Sequence, residues 1–212
     1  MSTNKCIDID GNVYKTVKIG DQIWMAENLK VTKYRNGDPI PKVIDHIEWS
    51  NLSSGAFCVY DNNDNYKDIY GYLYNWFAVN DKHKIAPEEW HVPTDEEWKQ
   101  LEMHLGMSSI EAEVVTGGRG TDEGGKLKET GTEQWKYPNL GATNETGFSA
   151  RPSGIRFDNG SFYGMNSYAG FWTSTKADNE KACRRNLTNM TSGVHRSIGT
   201  QSDGFSVRCI KD

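Results

Sequence analysis

Apolar and polar positions alternate along this chain in short bursts that rarely hold one period for long. Between Val13 and Leu29, VYKTVKI and QIWMAENL carry strand-type residues on either side of Gly20-Asp21. A Gly-first two-residue turn suits the twist of paired strands, so this stretch predicts a β-hairpin. FCVY (57–60) predicts a short strand and DNNDNYKD (61–68) a polar loop. YGYLYNWFAV (70–79) carries both periods, and Leu73, Trp76 and Phe77 at i, i+3 and i+4 favour a helix. The clearest helix lies in HVPTDEEWKQLEMHLG (91–106). Thr94 and Glu97 have capping-box spacing, and Asp95, Glu96 and Glu97 suit the positive helix end. Trp98, Leu101 and Leu105 form the apolar stripe, and Gly106 is the expected stop.

TGGRGTDEGGKLKETG (116–131) is rich in glycine and charge and predicts an exposed loop. Strand signals dominate after Gly147. Asn159-Gly160 predicts a type I′ hairpin turn, and AGFWTST (169–175) a strand. In GFSVRC (204–209), Phe205, Val207 and Cys209 share one face, with Ser206 and Arg208 on the other. Residues 184–203 have no period, and composition alone makes them a polar loop. Helices near the middle with strands on both sides give an α+β class. No internal repeat or linker divides the chain, so a single domain over 1–212 is expected.

Composition narrows the function. The chain has 212 residues, 36% hydrophobic and 11% aromatic, with a net charge of −5. That is too apolar for disorder. It also lacks the basic face that nucleic acid requires. No run of 18 apolar residues predicts a transmembrane helix. The start, MSTNKCIDIDG, is too polar for a signal peptide.

Candidate chemistry is sparse. GTDEGGKL (120–127) approaches a phosphate-binding loop, but Leu127 stands where a magnesium-binding hydroxyl belongs. No G-x-S-x-G elbow occurs, and none of the five histidines shares a motif with a nucleophile. Asp61, Asn63, Asp64 and Asp68 have the close oxygen spacing of a calcium loop, without the EF-hand glycine and glutamate. Calcium is therefore the one cofactor the spacing allows. Cys6, Cys58, Cys183 and Cys209 form no C-x-x-C pair, and their disulfide state stays open between three connectivities and free thiols.

DIDGNVYKTVKIGDQIWMAENLKVTKYRNGDPIP (8–41), YGYLYNWFAV, WHVPTDEEWKQL, GGKLKETG, ATNETGFSARPSG and GFSVRCIKD together resemble the Fibrobacter succinogenes major paralogous domain, in order and over nearly the whole chain. The resemblance implies a C-type lectin-like fold of the formylglycine-generating-enzyme type, with two main helices, small antiparallel sheets and long loops. It also implies a surface or secreted protein of Bacteroidetes or their relatives, while the polar start leaves open a phage particle protein or a trimmed surface protein. The enzyme branch of that fold binds copper through two closely spaced cysteines near the C-terminus. KACRRN offers Cys183 alone, so no enzyme and no resident cofactor is expected.

Members of the family further resemble variable proteins diversified by retroelements, in which adenine-directed change of Asn codons varies the segment before GFSVRC. Here Arg185, Asn186, Leu187, Ser192, Val194, Arg196 and Ser202 match a constant frame. Thr188, Thr191, Gly193, His195, Ser197, Ile198, Gly199, Thr200 and Asp203 all lie in the set reachable from Asn codons. The implied function is a non-catalytic adhesin or receptor-binding module whose 184–203 segment meets a protein or glycan on another cell. Arg184, Asn189 and Met190 join the varied positions as expected contacts, with Trp172 as the aromatic a sugar would favour. The alternatives are a copper-dependent oxidase and a purely structural surface or tail domain.

Overall fold

In the computed structural model, which describes residues 6–115 and 117–212, β1 (Cys6–Ile7) pairs with β2 (Val13–Tyr14). β3 (Thr16–Ile19) pairs with β4 (Gln22–Met25) across Gly20, which takes φ +59°, so the predicted hairpin forms. α1 (His46–Ser50) starts where the Asp45 carboxylate accepts from the N–H groups of Ile47 and Glu48. β5 (Phe57–Cys58) is separated by two 3-10 turns and α2 (Lys67–Tyr70) from its partner β6 (Leu73–Tyr74).

The helix expected over 70–79 is corrected. Within it, α2 ends at Tyr70, Leu73 and Tyr74 are strand, and the one helix that starts there is the short α3 (Trp76–Val79), where the Asn75 side chain accepts from the Ala78 N–H as its cap. Tyr74 before it exchanges both backbone hydrogen bonds with Phe205, and this long-range pairing overrides the local period. β7 (Trp90–His91) then leads to α4 (Asp95–His104), where the capping box of Thr94 and Glu97 is fully formed. Trp98, Leu101 and Leu105 are buried, and Gly106 follows at φ +120°.

The loop expected over 116–131 is also corrected. After α5 (Ser109–Glu113), this region holds β8 (Gly118–Arg119) and α6 (Glu123–Leu127), with Arg119, Glu123 and Lys128 buried. Gly124 and Gly125 permit the docking, since a Cβ at either would collide with the backbone carbonyl of Gly193 or Gly141. α6 is five residues long, and no buried strand of useful length precedes it.

β9 (Ser153–Arg156), β10 (Phe162–Met165), β11 (Tyr168–Lys176), β12 (Lys181–Thr188) and β13 (Val194–Thr200) complete a six-stranded sheet in the order β10-β9-β11-β12-β13-β8. It is not purely antiparallel, because β11 meets β9 in parallel at Ala169 and Gly154. The β9–β10 hairpin turns through Gly160 at φ +82°, while Asn159 keeps a negative φ. A type I′ turn is therefore not the one used. A second sheet, β3-β4-β14-β7, inserts β14 (Ile210–Lys211) between elements from the first half of the chain.

Residues 204–209 run extended through the interior but join separate neighbours: Gly204 bridges to Arg156, Phe205 to Tyr74, and Ser206 to Phe171. Ser206 and Arg208 are as buried as Phe205 and Val207, so this segment has no polar, solvent-facing side.

α4 covers one face of the six-stranded sheet. Its Trp98 meets Phe171 at 5.7 Å and Trp24 at 5.0 Å between ring centroids, and Leu187 and Val194 belong to the same apolar cluster. Such ring pairs add about 0.5–1.5 kcal/mol each beyond area burial. The architecture is α+β, with several small sheets and few helices. Of the helices described, only α4 exceeds five residues, so the expectation of two main helices gives way to one.

Candidate functional site

The segment that looked like a polar loop is mostly a hairpin. β12 pairs with β13 from Lys181↔Thr200 to Asn186↔His195. Because side chains alternate across a strand, this register sorts the candidate residues by face. Cys183, Arg185, Leu187, Val194, Arg196 and Ile198 point to the α4 side. Arg184, Asn186, Thr188, His195, Ser197 and Gly199 point to the other.

The α4 side is fastened by charge. Arg185 Nε donates to Glu102 at 2.7 Å and its Nη1 to Asp95 at 2.6 Å. Arg196 Nη2 reaches the second Asp95 oxygen at 2.5 Å, and Arg119 Nη2 the second Glu102 oxygen at 2.6 Å. Burial works against the Asp95 carboxylate, but Arg196 and Arg185 outweigh it and hold its pKa below the usual value. Lys128, also fully buried, holds the hairpin turn from beneath. Its Nζ donates to the carbonyls of Leu140, Thr188 and Thr191 at 2.8–2.9 Å. With no carboxylate in contact, burial pulls its pKa down to about 8.

The opposite side is a half-buried polar stripe. The Arg184 guanidinium sits 4.5 Å from the Phe205 ring centroid, and its Nη1 donates to the Tyr168 hydroxyl at 3.3 Å. Asn186 Nδ2 donates to Ser197 Oγ at 2.8 Å. Thr188 Oγ1 lies 3.0 Å from Thr191 Oγ1, which is 3.5 Å from His195 Nε2. Burial and the nearby charge of Arg119 keep the His195 imidazole below its usual pKa. Two buried atoms of the stripe, Arg184 Nε and Asn186 Oδ1, have no partner among the described residues. An unpaired buried polar group costs about 1–3 kcal/mol, and Arg119 Nε on the α4 side carries the same cost.

At the hairpin tip the surface turns apolar. Met190 is 62% exposed, Tyr137 80% and Leu140 50%. Asn189, next to Met190, joins their segments: Leu140 N–H donates to the Asn189 carbonyl, and the Asn189 side-chain Nδ2 donates to the Tyr137 carbonyl. Leu140 and Met190 line one shallow hollow with Thr191 and Gly193.

The structure thus brings Arg184, Thr188, Thr191, His195 and Ser197 together, with Met190 and Gly193 at their end. It does not bring the rest. Trp172 is 0% exposed and donates its indole N–H to the Tyr74 carbonyl, so it is a core residue and presents no face to a sugar. Asn189, Gly199 and Asp203 are buried. The Asp203 carboxylate accepts from the N–H groups of Asp158 and Thr200, and burial pushes its pKa up to about 6. Ile198, exposed, lies on the α4 side, and Thr200 at the strand end. The sequence did not mark Tyr137, Leu140 or Tyr168. The one signal for the first two was an aromatic and a leucine within the turn-rich KYPNLG, where nothing calls for a core residue.

The calcium candidates do not converge. Asp64 pairs with Lys42 at 2.6 Å, Asp68 with Lys30 at 3.3 Å, and Asn63 accepts from the Asn65 N–H. No group of three or more His, Cys, Asp or Glu placed to hold a metal occurs among the described residues. All four cysteines are free thiols. Cys209 lies in the core with Cys6, while Cys183 is half-buried on β12. No described helix is long and apolar enough to cross a membrane.

A family model described as the Fibrobacter succinogenes major domain matches residues 17–211. No curated protein and no solved structure gives a significant match.

Proposed function

The chain belongs to the Fibrobacter succinogenes major domain family, and we propose that it is a non-catalytic ligand-binding module of adhesin or receptor-binding type. The β12–β13 hairpin presents the contact surface: the polar stripe of Arg184, Thr188, Thr191, His195 and Ser197, ending on Met190, Tyr137 and Leu140. The observation that carries this reading is the contrast between the two faces of one hairpin. One face is immobilised by buried ion pairs, and the other carries small, half-exposed polar groups that end at a tip with exposed apolar side chains. Adaptable small residues beside rigid aromatic or aliphatic anchors make a workable binding surface when the support does not move.

The same reading groups the fold with C-type lectin-like domains of the formylglycine-generating-enzyme type. The short sheets and long irregular connections support this. It takes the varied positions between Thr188 and Asp203 as products of retroelement-directed diversification. A near-copy of this coding stretch beside a reverse transcriptase gene is the expected genomic finding. The ligand is a protein or glycan on another cell, and the module acts at a cell surface, outside the cell or on a phage particle.

The test is adhesion of the purified protein to target cells. A variant carrying Tyr137→Ser, Met190→Ser, Thr188→Ala and Ser197→Ala changes only exposed or half-exposed side chains. It is expected to keep its circular dichroism and lose adhesion. Undiminished adhesion by the folded variant defeats the assignment and leaves a structural role.

A further inference from the structure

A second surface stands apart from the hairpin and shares no residue with it. A cleft of about 430 Å³ opens between the β3–β4 hairpin, the α2 turn and the loop before β9. Its charged lining comprises Lys15, Lys30, Lys67, Arg151 and Arg208 against Glu27, Asp68 and Glu129. Five positive and three negative groups give the cleft a net charge of +2, in a chain whose net charge is −5.

Ion pairing within the cleft leaves Lys15, Lys67 and Arg208 against Glu27, so the net charge of +2 stands. Arg151 grips the Glu129 carboxylate at 2.8–3.1 Å, and Lys30 pairs with Asp68 at 3.3 Å. Glu27 accepts from the Lys15 backbone N–H at 2.7 Å and keeps its negative charge. The ammonium groups of Lys15 and Lys67, both exposed, have no partner among the described residues.

Arg208 is 1% exposed, and no carboxylate touches it. Its Nε donates to Asn28 Oδ1 at 2.8 Å, its Nη2 to the Ser149 carbonyl at 2.9 Å, and its Nη1 to the Phe148 and Met25 carbonyls. These bonds use four of the five guanidinium N–H groups, and the other Nη2 hydrogen has no acceptor among the described residues. The guanidinium is also held 4.3 Å from the Phe148 ring centroid. Arg208 therefore brings a fixed, buried positive charge to the floor of the cleft, with Glu27 and Glu129 near enough to act on it without touching it. The cleft volume is in the range of small-ligand sites.

We propose that this cleft binds a small organic polyanion. Its carboxylate or phosphoryl groups are held at the rim by Lys15 and Lys67, over the buried positive charge of Arg208. Arg208 is too deeply embedded in the core to substitute cleanly, so the rim lysines carry the test. The full chain, labelled with ¹⁵N, is titrated with citrate as the carboxylate probe, pyrophosphate as the phosphoryl probe and glucose as the neutral control. Either anion is expected to shift the amide signals of Ala26, Gly71, Gly147 and Ser149, with no response to glucose. The stronger of the two identifies the group preferred. Lys15→Ala/Lys67→Ala is expected to weaken binding by roughly tenfold while leaving the spectrum otherwise native. Silence of those amides at about 10 mM of both anions overturns the proposal, as does equal binding by the double variant. Adhesion through the hairpin is scored separately, so neither result decides the other.

Discussion

At the residue scale, Glu102 has the clearest energetic role. It is 0% exposed, and its two oxygens separately serve Arg119 and Arg185, at 2.6 and 2.7 Å. Glu102→Gln keeps the shape and one acceptor but leaves two buried guanidiniums facing a neutral amide. Removing one partner of a buried ion cluster costs about 3–5 kcal/mol, far more than the net worth of a surface pair. Urea denaturation of Glu102→Gln is expected to show a loss of that size. A loss below about 1 kcal/mol shows that the network holds no structural load. Composition gave no hint of this network. Arg185 and Arg196 looked like members of a polar stretch, and the acids they meet lie about eighty to a hundred positions earlier in the chain. Trp172 shows the complementary difficulty. An aromatic on a strand reads equally well as core or contact, and only the packing of Phe205 at 4.7 Å decides it.

At the element scale, what was legible depended on how far its cause lay along the chain. The start of α4 was readable because its determinants, Thr94 and Glu97, are three residues apart. The β3–β4 turn was readable for the same reason. α6 was not: its glycines look like loop residues until the β12–β13 turn is seen against them, with Gly125 N–H donating to the Ser192 carbonyl at 2.8 Å. The candidate surface follows the same rule. Its strand positions were found by family resemblance, whereas the division into two faces depended on register that no local signal specifies. Lys128 links these elements, since its ammonium joins the end of α6 to both sides of the hairpin turn. Lys128→Met keeps the volume and strands three carbonyls. Amide exchange over 188–193 is then expected to quicken by roughly tenfold or more, with α4 protected as before. Unchanged exchange at the tip shows that the turn is held by other contacts.

At the scale of the whole molecule, the C-terminal end of the chain is joined to its middle by His91. Its Nδ1 meets Asp212 Oδ1 at 2.7 Å, and its Nε2 meets Glu97 Oε1 at 2.7 Å. One imidazole thus ties the C-terminal residue to the first turn of α4, beside the sheet in which β14 lies between β4 and β7. Two carboxylates require donors on both ring nitrogens, which only the imidazolium supplies. The hydrogen bond to Glu97 raises the His91 pKa above 6.5, burial opposes it, and Asp212 adds to the rise. A group whose folded pKa exceeds its unfolded value binds its proton more tightly in the native state. Its contribution is therefore complete below the unfolded value of 6.5 and disappears as pH rises through the higher folded value. The other titrating groups are common to wild type and His91→Gln, so the difference in their unfolding free energies isolates this effect. That difference is expected to be larger at about pH 6 than at about pH 9, because the glutamine side chain has no proton to lose over that range. A difference that does not change with pH shows that His91 is neutral in the native state, and that the bridge between the C-terminus and α4 is not an ionic one.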